Sequence, residues 1–223
     1  MDILNNSLEG VNTSKPSALN KNLSNKIKGD ILDGKLKRGE KLTEQYLCSK
    51  YSVSRTPIRE AFFQLESEGL IEIIPNRGAF VVGLSEQDKI DMHKLRGIYE
   101  VQATEWAIKR ITDAQLEKLA ETFEFMEFYT MKKDYAKMIN INSYFHQVIY
   151  QASHNKLLQH VLSLFQTYVN HTFDSNKSSK YLDEILEEHR QIYIAFLAKD
   201  VEKGAEAMKI HIENSRLRKE SLK

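Results

Sequence analysis

Residues 43–83 read TEQYLCSKYSVSRTPIREAFFQLESEGLIEIIPNRGAFVVG, and the punctuation of this stretch decides the fold. Thr43 is placed to cap a short helix running to about Lys50. Tyr51-Ser52-Val53 supplies a turn, and Ser54 is the cap of a second helix. Pro57 falls in the first turn of that helix, where a missing N–H costs nothing. Val53 and Ile58 stand at the positions of a hydrophobic staple across its start. Ile58, Ala61, Phe62 and Leu65 recur at helical spacing as one apolar stripe, and Gly69 is the stop. Two β-like runs follow, Leu70–Ile74 and Ala79–Val82, joined by the turn sequence Pro75-Asn76-Arg77-Gly78. Two helices separated by a turn of about three or four residues and followed by a β-hairpin form the layout of a winged helix-turn-helix.

Upstream, Leu19 to Leu32 carries Leu23, Ile27 and Ile31 at helical spacing, so it reads as an amphipathic helix ended by Asp33-Gly34. Residues 1–18 are rich in Asn and Ser, bury too little to offset ordering entropy, and read as a flexible tail. Downstream of Ser85 the pattern is helical to the end. Ser85 with Asp88 and Thr112 with Gln115 have the form of capping boxes. Breaks at Lys132-Lys133, Ser153-His154, a polar DSNKSS run and Lys199-Asp200 divide it into helices over about 85–110, 113–131, 134–152, 155–174, 179–198 and 201–219. Short connections favour antiparallel neighbours. The predicted fold is therefore mainly α. Residues 1–18 form a tail, 19–83 a winged helix-turn-helix with a small β-hairpin, and 84–223 an all-α antiparallel bundle of about six helices.

The 223 residues are 41% hydrophobic and 28% charged, ordinary for a globular protein. There is no apolar run of about 18 residues to span a membrane. The start lacks the basic and apolar regions of a secretory signal, and the one cysteine, Cys48, rules out an internal disulfide. The expected compartment is the cytoplasm. Charge is unevenly spread: residues 19–59 hold ten Lys/Arg against four Asp/Glu, while residues 84–223 hold 20 against 21. A basic lobe on a near-neutral body is the electrostatic footprint of nucleic-acid binding. Enzyme chemistry has little foothold. HExxH is absent, and Gly29-Asp-Ile-Leu-Asp-Gly34-Lys35 mimics a phosphate loop but continues with Leu36 in place of Ser or Thr and follows a helix rather than a strand.

A recognition helix needs donors near its N-terminus, facing the major groove. Arg55 and Arg59, four apart, share a face away from the apolar stripe. Arginine bonds guanine O6 and N7 in bidentate fashion. The hydroxyls of Ser54 and Thr56 suit phosphates, and Arg77 and Gly78 at the hairpin tip fit an adjacent minor groove. In the helical body, Asn142 and His146 lie four apart, His189 opens the apolar face of a later helix, and His211 sits on the last one. Groups from three helices can converge on a bundle core, and imidazole suits zinc or nickel. By spacing alone, core histidines without a ligand role remain the alternative. Arg96 is a candidate for an effector carboxylate, with an ion pair to Glu100 one turn away as the alternative.

The stretches Val53-Ser54-Arg55-Thr56-Pro57-Ile58-Arg59-Glu60-Ala61, Leu65-Glu66-Ser67-Glu68-Gly69-Leu70-Ile71 and Asn76-Arg77-Gly78-Ala79-Phe80-Val81 closely resemble the GntR family of bacterial regulators. The resemblance implies that Arg55, Thr56, Arg59 and Gly78 contact double-stranded operator DNA. Gln45 stands where the family often has a further basic contact. The body, with Leu95-Arg96-Gly97-Ile98-Tyr99-Glu100, looks like the FCD ligand-binding domain of one GntR subfamily. Asn142, His146, His189 and His211 fall where its metal ligands fall, which implies a divalent ion, zinc or nickel. Many members have Asp at Asn142; the neutral amide leaves an ion its full charge, which weakens the metal or favours an anionic ligand. The expectation is a homodimeric repressor of a metabolic operon, released by a small organic acid. An activator, or an architectural protein without effector, is the alternative.

Overall fold

A computed structural model of the chain describes residues 18–171 and 181–221. The predicted tail and the DSNKSS run fall almost wholly outside them. The chain divides after Leu84 into two compact units.

The first unit opens with α1, Ala18–Leu32, which buries Leu23, Ile27 and Ile31 and stops before Gly34 at φ +73°. Then come β1 (Lys41–Leu42), α2 (Glu44–Tyr51), α3 (Arg55–Ser67), β2 (Ile71–Ile74) and β3 (Gly78–Val81). Thr43 caps α2 through the amide of Tyr46, and Ser52 closes it in the left-handed region. Ile58, Ala61, Phe62 and Leu65 are buried, as the stripe predicts. The hairpin pairs Ile71 with Val81 and Ile74 with Gly78. Its turn needs positive φ at Asn76 (61°) and Gly78 (101°), which Asn and Gly supply at least cost. A third strand escaped the sequence reading: β1 pairs antiparallel with β3, giving the order β1-β3-β2. Two residues are too few to show alternation, and only the burial of Leu42 beside exposed Lys41 marks the strand.

The second unit is helical throughout its described residues: α4 (Glu86–Arg110), α5 (Asp113–Met131), α6 (Tyr135–Ala152), α7 (Lys156–His171), α8 (Leu182–Leu197) and α9 (Val201–Glu220). Both predicted capping boxes form, at Ser85/Asp88 and Thr112/Gln115. Phe145 and Ile149 of α6, Leu119 and Met126 of α5, Ile192 and Phe196 of α8 and Met208 of α9 make the centre of the core. The buried stripe of α4 is unusual, since it carries Arg96 and Glu100 among Met92, Ala103 and Ala107. A buried charge is tolerated only when paired, so these two residues mark a polar interior. No helix among the described residues is long and apolar enough to cross a membrane.

Candidate DNA interface and candidate metal centre

Ser54 sits at the N-cap of α3 in extended backbone, but its hydroxyl makes no capping bond. The exposed start of this helix therefore keeps amide donors and a hydroxyl for an incoming oxyanion. Ser54, Arg55, Thr56, Arg59, Gln45, Arg77 and Gly78 are all exposed. Arg59 is nevertheless engaged: its Nε and one terminal nitrogen donate to Glu44 of α2, at 2.6 and 3.1 Å. The Arg59 guanidinium, opposed weakly by desolvation, pulls the Glu44 carboxyl below its ordinary range. Arg55 and Arg59 are thus unequal, with Arg55 presenting its whole fork and Arg59 one remaining edge. Glu44 was missed by sequence reasoning, although its position at the first turn of α2 marks it as a dipole-favoured carboxylate. Arg77 lies over the Phe80 ring at 6.0 Å, at the tip of the hairpin.

In the helical unit, α6, α8 and α9 bring His146, His189 and His211 together. One ligand atom from each ring lies within 4.8 Å of the others, and all three are buried. Each Nδ1 faces an acceptor: Glu100 Oε2 at 3.3 Å for His146, the Ile185 carbonyl at 2.7 Å for His189, and Glu188 Oε2 at 2.9 Å for His211. Such acceptors hold the proton on Nδ1 and leave the Nε2 lone pairs pointing inward. The Nε2 atoms of His146 and His189 are 3.4 Å apart. Two nitrogens bound about 2.0–2.1 Å from a tetrahedral zinc lie at about that separation.

Asn142, one turn before His146, has a buried Oδ1 with no hydrogen-bond partner. An orphaned acceptor beside three inward lone pairs fits a cation. Burial pushes the His211 ring down to about 4 and His189 well below its ordinary value, with the neighbouring rings adding to both shifts. Neutral imidazole is the form that binds metal.

A cavity adjoins this cluster. Arg96, Asn142, Gln166, His211, Ser215 and Arg218 line its polar side, and Met138, Ile139, Leu182 and Ile185 its apolar side. Arg96 takes the ion pair with Glu100, at 3.0 Å, and lines the cavity as well. Burial raises the Glu100 carboxyl, but His146, Arg96 and the Tyr150 hydroxyl outweigh it and hold it at about 2. Glu188 is likewise held at about 2 against burial by Arg218 and His211. The sequence offers Glu100 only as an ion-pair partner of Arg96, not as a neighbour of the histidines, and does not single out Glu188. The signal available for Glu188 was a carboxylate immediately before a candidate ligand histidine, which a solvated helix face produces equally often.

Fold and site together define a winged-helix DNA-binding transcription regulator with a helical ligand-binding domain. The family model described as bacterial regulatory proteins, gntR family, matches residues 19–81, and the FCD domain model matches residues 91–214. The chain belongs to the gntR family and carries an FCD domain; these are domains of a regulator and not of an enzyme. It is 31% identical to the uncharacterized HTH-type transcriptional regulator YdhC of Bacillus subtilis, over 89% of this chain and 88% of that protein. It is 27% identical to the HTH-type transcriptional repressor RspR of Escherichia coli, over 91% and 89%. The solved structure of E. coli McbR/YncC shares the fold, with a TM-score of 0.74 over 92% of this chain and 99% of that one at 22% identity.

Proposed function

We propose that this regulator is a metal-dependent repressor of a metabolic operon, released by a small organic acid. Its tail ends near residue 18, residues 19–83 bind DNA, and residues 84–223 sense the effector. The observation that carries the sensing part is the set of three imidazoles, each with Nδ1 committed to an acceptor and Nε2 turned inward, beside the orphaned Asn142 Oδ1. His146, His189, His211 and Asn142 would hold a zinc or nickel ion, which supplies Lewis acidity to whatever reaches its open position. All four ligands are neutral, so the ion keeps its double charge. The buried pairs Arg96–Glu100 and Arg218–Glu188 cancel internally. The cavity therefore favours an anion, and Arg96 directs a carboxylate towards the cluster.

On the DNA side, Arg55 reads a guanine, Arg59 adds an edge held by Glu44, and Ser54 and Thr56 meet phosphates. Arg77 and Gly78 approach the minor groove. A homodimer places two recognition helices about 34–36 Å apart on a pseudo-palindromic operator in the cytoplasm. The name of the relative RspR, a repressor, supports that sign of regulation. The test is metal content per chain by mass spectrometry on tag-free protein, beside His146→Ala, with operator binding by fluorescence anisotropy. One ion per chain lost in the variant, and operator affinity lowered by a carboxylate only when metal is present, is the expected result. Operator binding indifferent to metal and to every carboxylate would refute it.

A further inference from the structure

Glu188 lies beside the histidine cluster and accepts hydrogen bonds from His211, Asn214 and Arg218. Its Oε2 accepts from His211 Nδ1 at 2.9 Å and from a terminal nitrogen of Arg218 at 2.7 Å. Its Oε1 accepts from Asn214 Nδ2 and from the other terminal nitrogen of Arg218, each at 2.7 Å. All three donor residues are on α9, at 211, 214 and 218, spaced three and four apart along one face. The carboxylate is 12% exposed and the Arg218 side chain 7%, so these bonds are little diluted by water. Moving the carboxylate would orphan four donor nitrogens on three buried or half-buried residues at once.

We propose that Glu188 is a positioning residue that couples occupation of the histidine cluster to order in the C-terminal helix α9. At one end Glu188 pins the His211 ring so that Nε2 faces His146 and His189. A cation drawing on Nε2 makes the Nδ1–H a stronger donor, which tightens its bond to Glu188. At the other end the same carboxylate grips Arg218, two turns further along α9. Arg218 lines the cavity with His211, and its Nε is buried without a hydrogen-bond partner. A filled site thus strengthens the latch on the end of α9, and by linkage a loosened latch weakens the site. The inference rests on the metal reading above.

The experiment uses the full chain as wild type, Glu188→Gln, and Glu187→Gln as control. Glu187 is on the same helix but pairs outward with Arg190 and Gln191. Zinc and nickel affinities are measured by chelator competition, and amide hydrogen exchange is followed across residues 205–218 with and without metal. In wild type, metal slows exchange at residues 211–218. Glu188→Gln, which keeps the shape of the side chain, is expected to bind metal about 10–100-fold more weakly and to lose the protection at 214–218. Glu187→Gln behaves as wild type. Unchanged affinity, or unchanged protection, in Glu188→Gln overturns the coupling. A wild type that binds neither zinc nor nickel overturns the metal reading itself. If Glu188→Gln does not fold, Arg218→Gln decides. It leaves the His211–Glu188 bond in place, and the coupling requires a loss of metal affinity of at least about fivefold together with faster exchange at the end of α9. Wild-type values in that variant overturn it.

Discussion

Acidifying the metal-free protein should weaken the helical unit in a window set by its histidines. His211 has an ordinary value of 6.5 and is held at about 4 in the fold, so the unfolded chain takes up a proton that the folded one refuses. Above pH 6.5 neither state is protonated there and stability is complete. As pH falls from 6.5 to 4 the unfolded state gains, and the difference reaches about 3 kcal/mol for this one ring. His189 shifts in the same direction and adds to the loss. Glu100 and Glu188, held at about 2, stay charged through that window and contribute a separate loss only below their ordinary 4.5. Trp106 of α4 is the one tryptophan of the chain and sits beneath Arg110, so its fluorescence reports the helical unit specifically. For an ordinary urea m-value the midpoint should fall by about 1–2 M between pH 7 and pH 4.5. His211→Asn should flatten the slope. A midpoint that is constant or rises on acidification would refute the assignment of neutral, desolvated rings.

Arg55→Ala should cost about 1–3 kcal/mol of operator affinity by anisotropy at fixed salt, with the fold intact. Arg59→Ala should also weaken binding, but less, because two of its nitrogens are already committed to Glu44; an effect larger than that of Arg55→Ala would reverse the proposed division of labour. Operator affinity should fall steeply with salt, since Lys and Arg side chains that neutralise phosphates release counterions, and a flat salt series would refute the electrostatic role given to the basic lobe. Gly204→Ala would drive a methyl into Ile108 Cδ1 and against Ala195 and Thr104, and calorimetry should register about 1–3 kcal/mol of destabilisation.

Local chemistry made much of this protein legible from its sequence. The α3 stripe, the two capping boxes, the hairpin turn at Asn76 and Gly78, and the stop at Gly34 all follow from groups within four residues of one another, and residues that close carry their own geometry. The basic lobe and the exposed arginines follow the same logic, because charge density and helical face are properties of a short window. The pair Arg96 and Glu100, one turn apart, was legible as a pair. That it is buried was not, because a buried and a solvated i, i+4 ion pair have the same sequence.

Contacts between distant segments were settled only by the tertiary structure. Strand β1 exists because β3 offers it an edge. Arg59 is partly neutralised because α2 brings Glu44, 15 residues away, alongside it. Sequence spacing offered His146, His189 and His211 as candidates. Packing of α6, α8 and α9 turned their Nε2 atoms inward and placed Glu100 and Glu188 behind them. Periodicity specifies which face of a helix is buried but not which neighbour it meets or at what register. A constellation drawn from three helices is therefore fixed by how their side chains interlock.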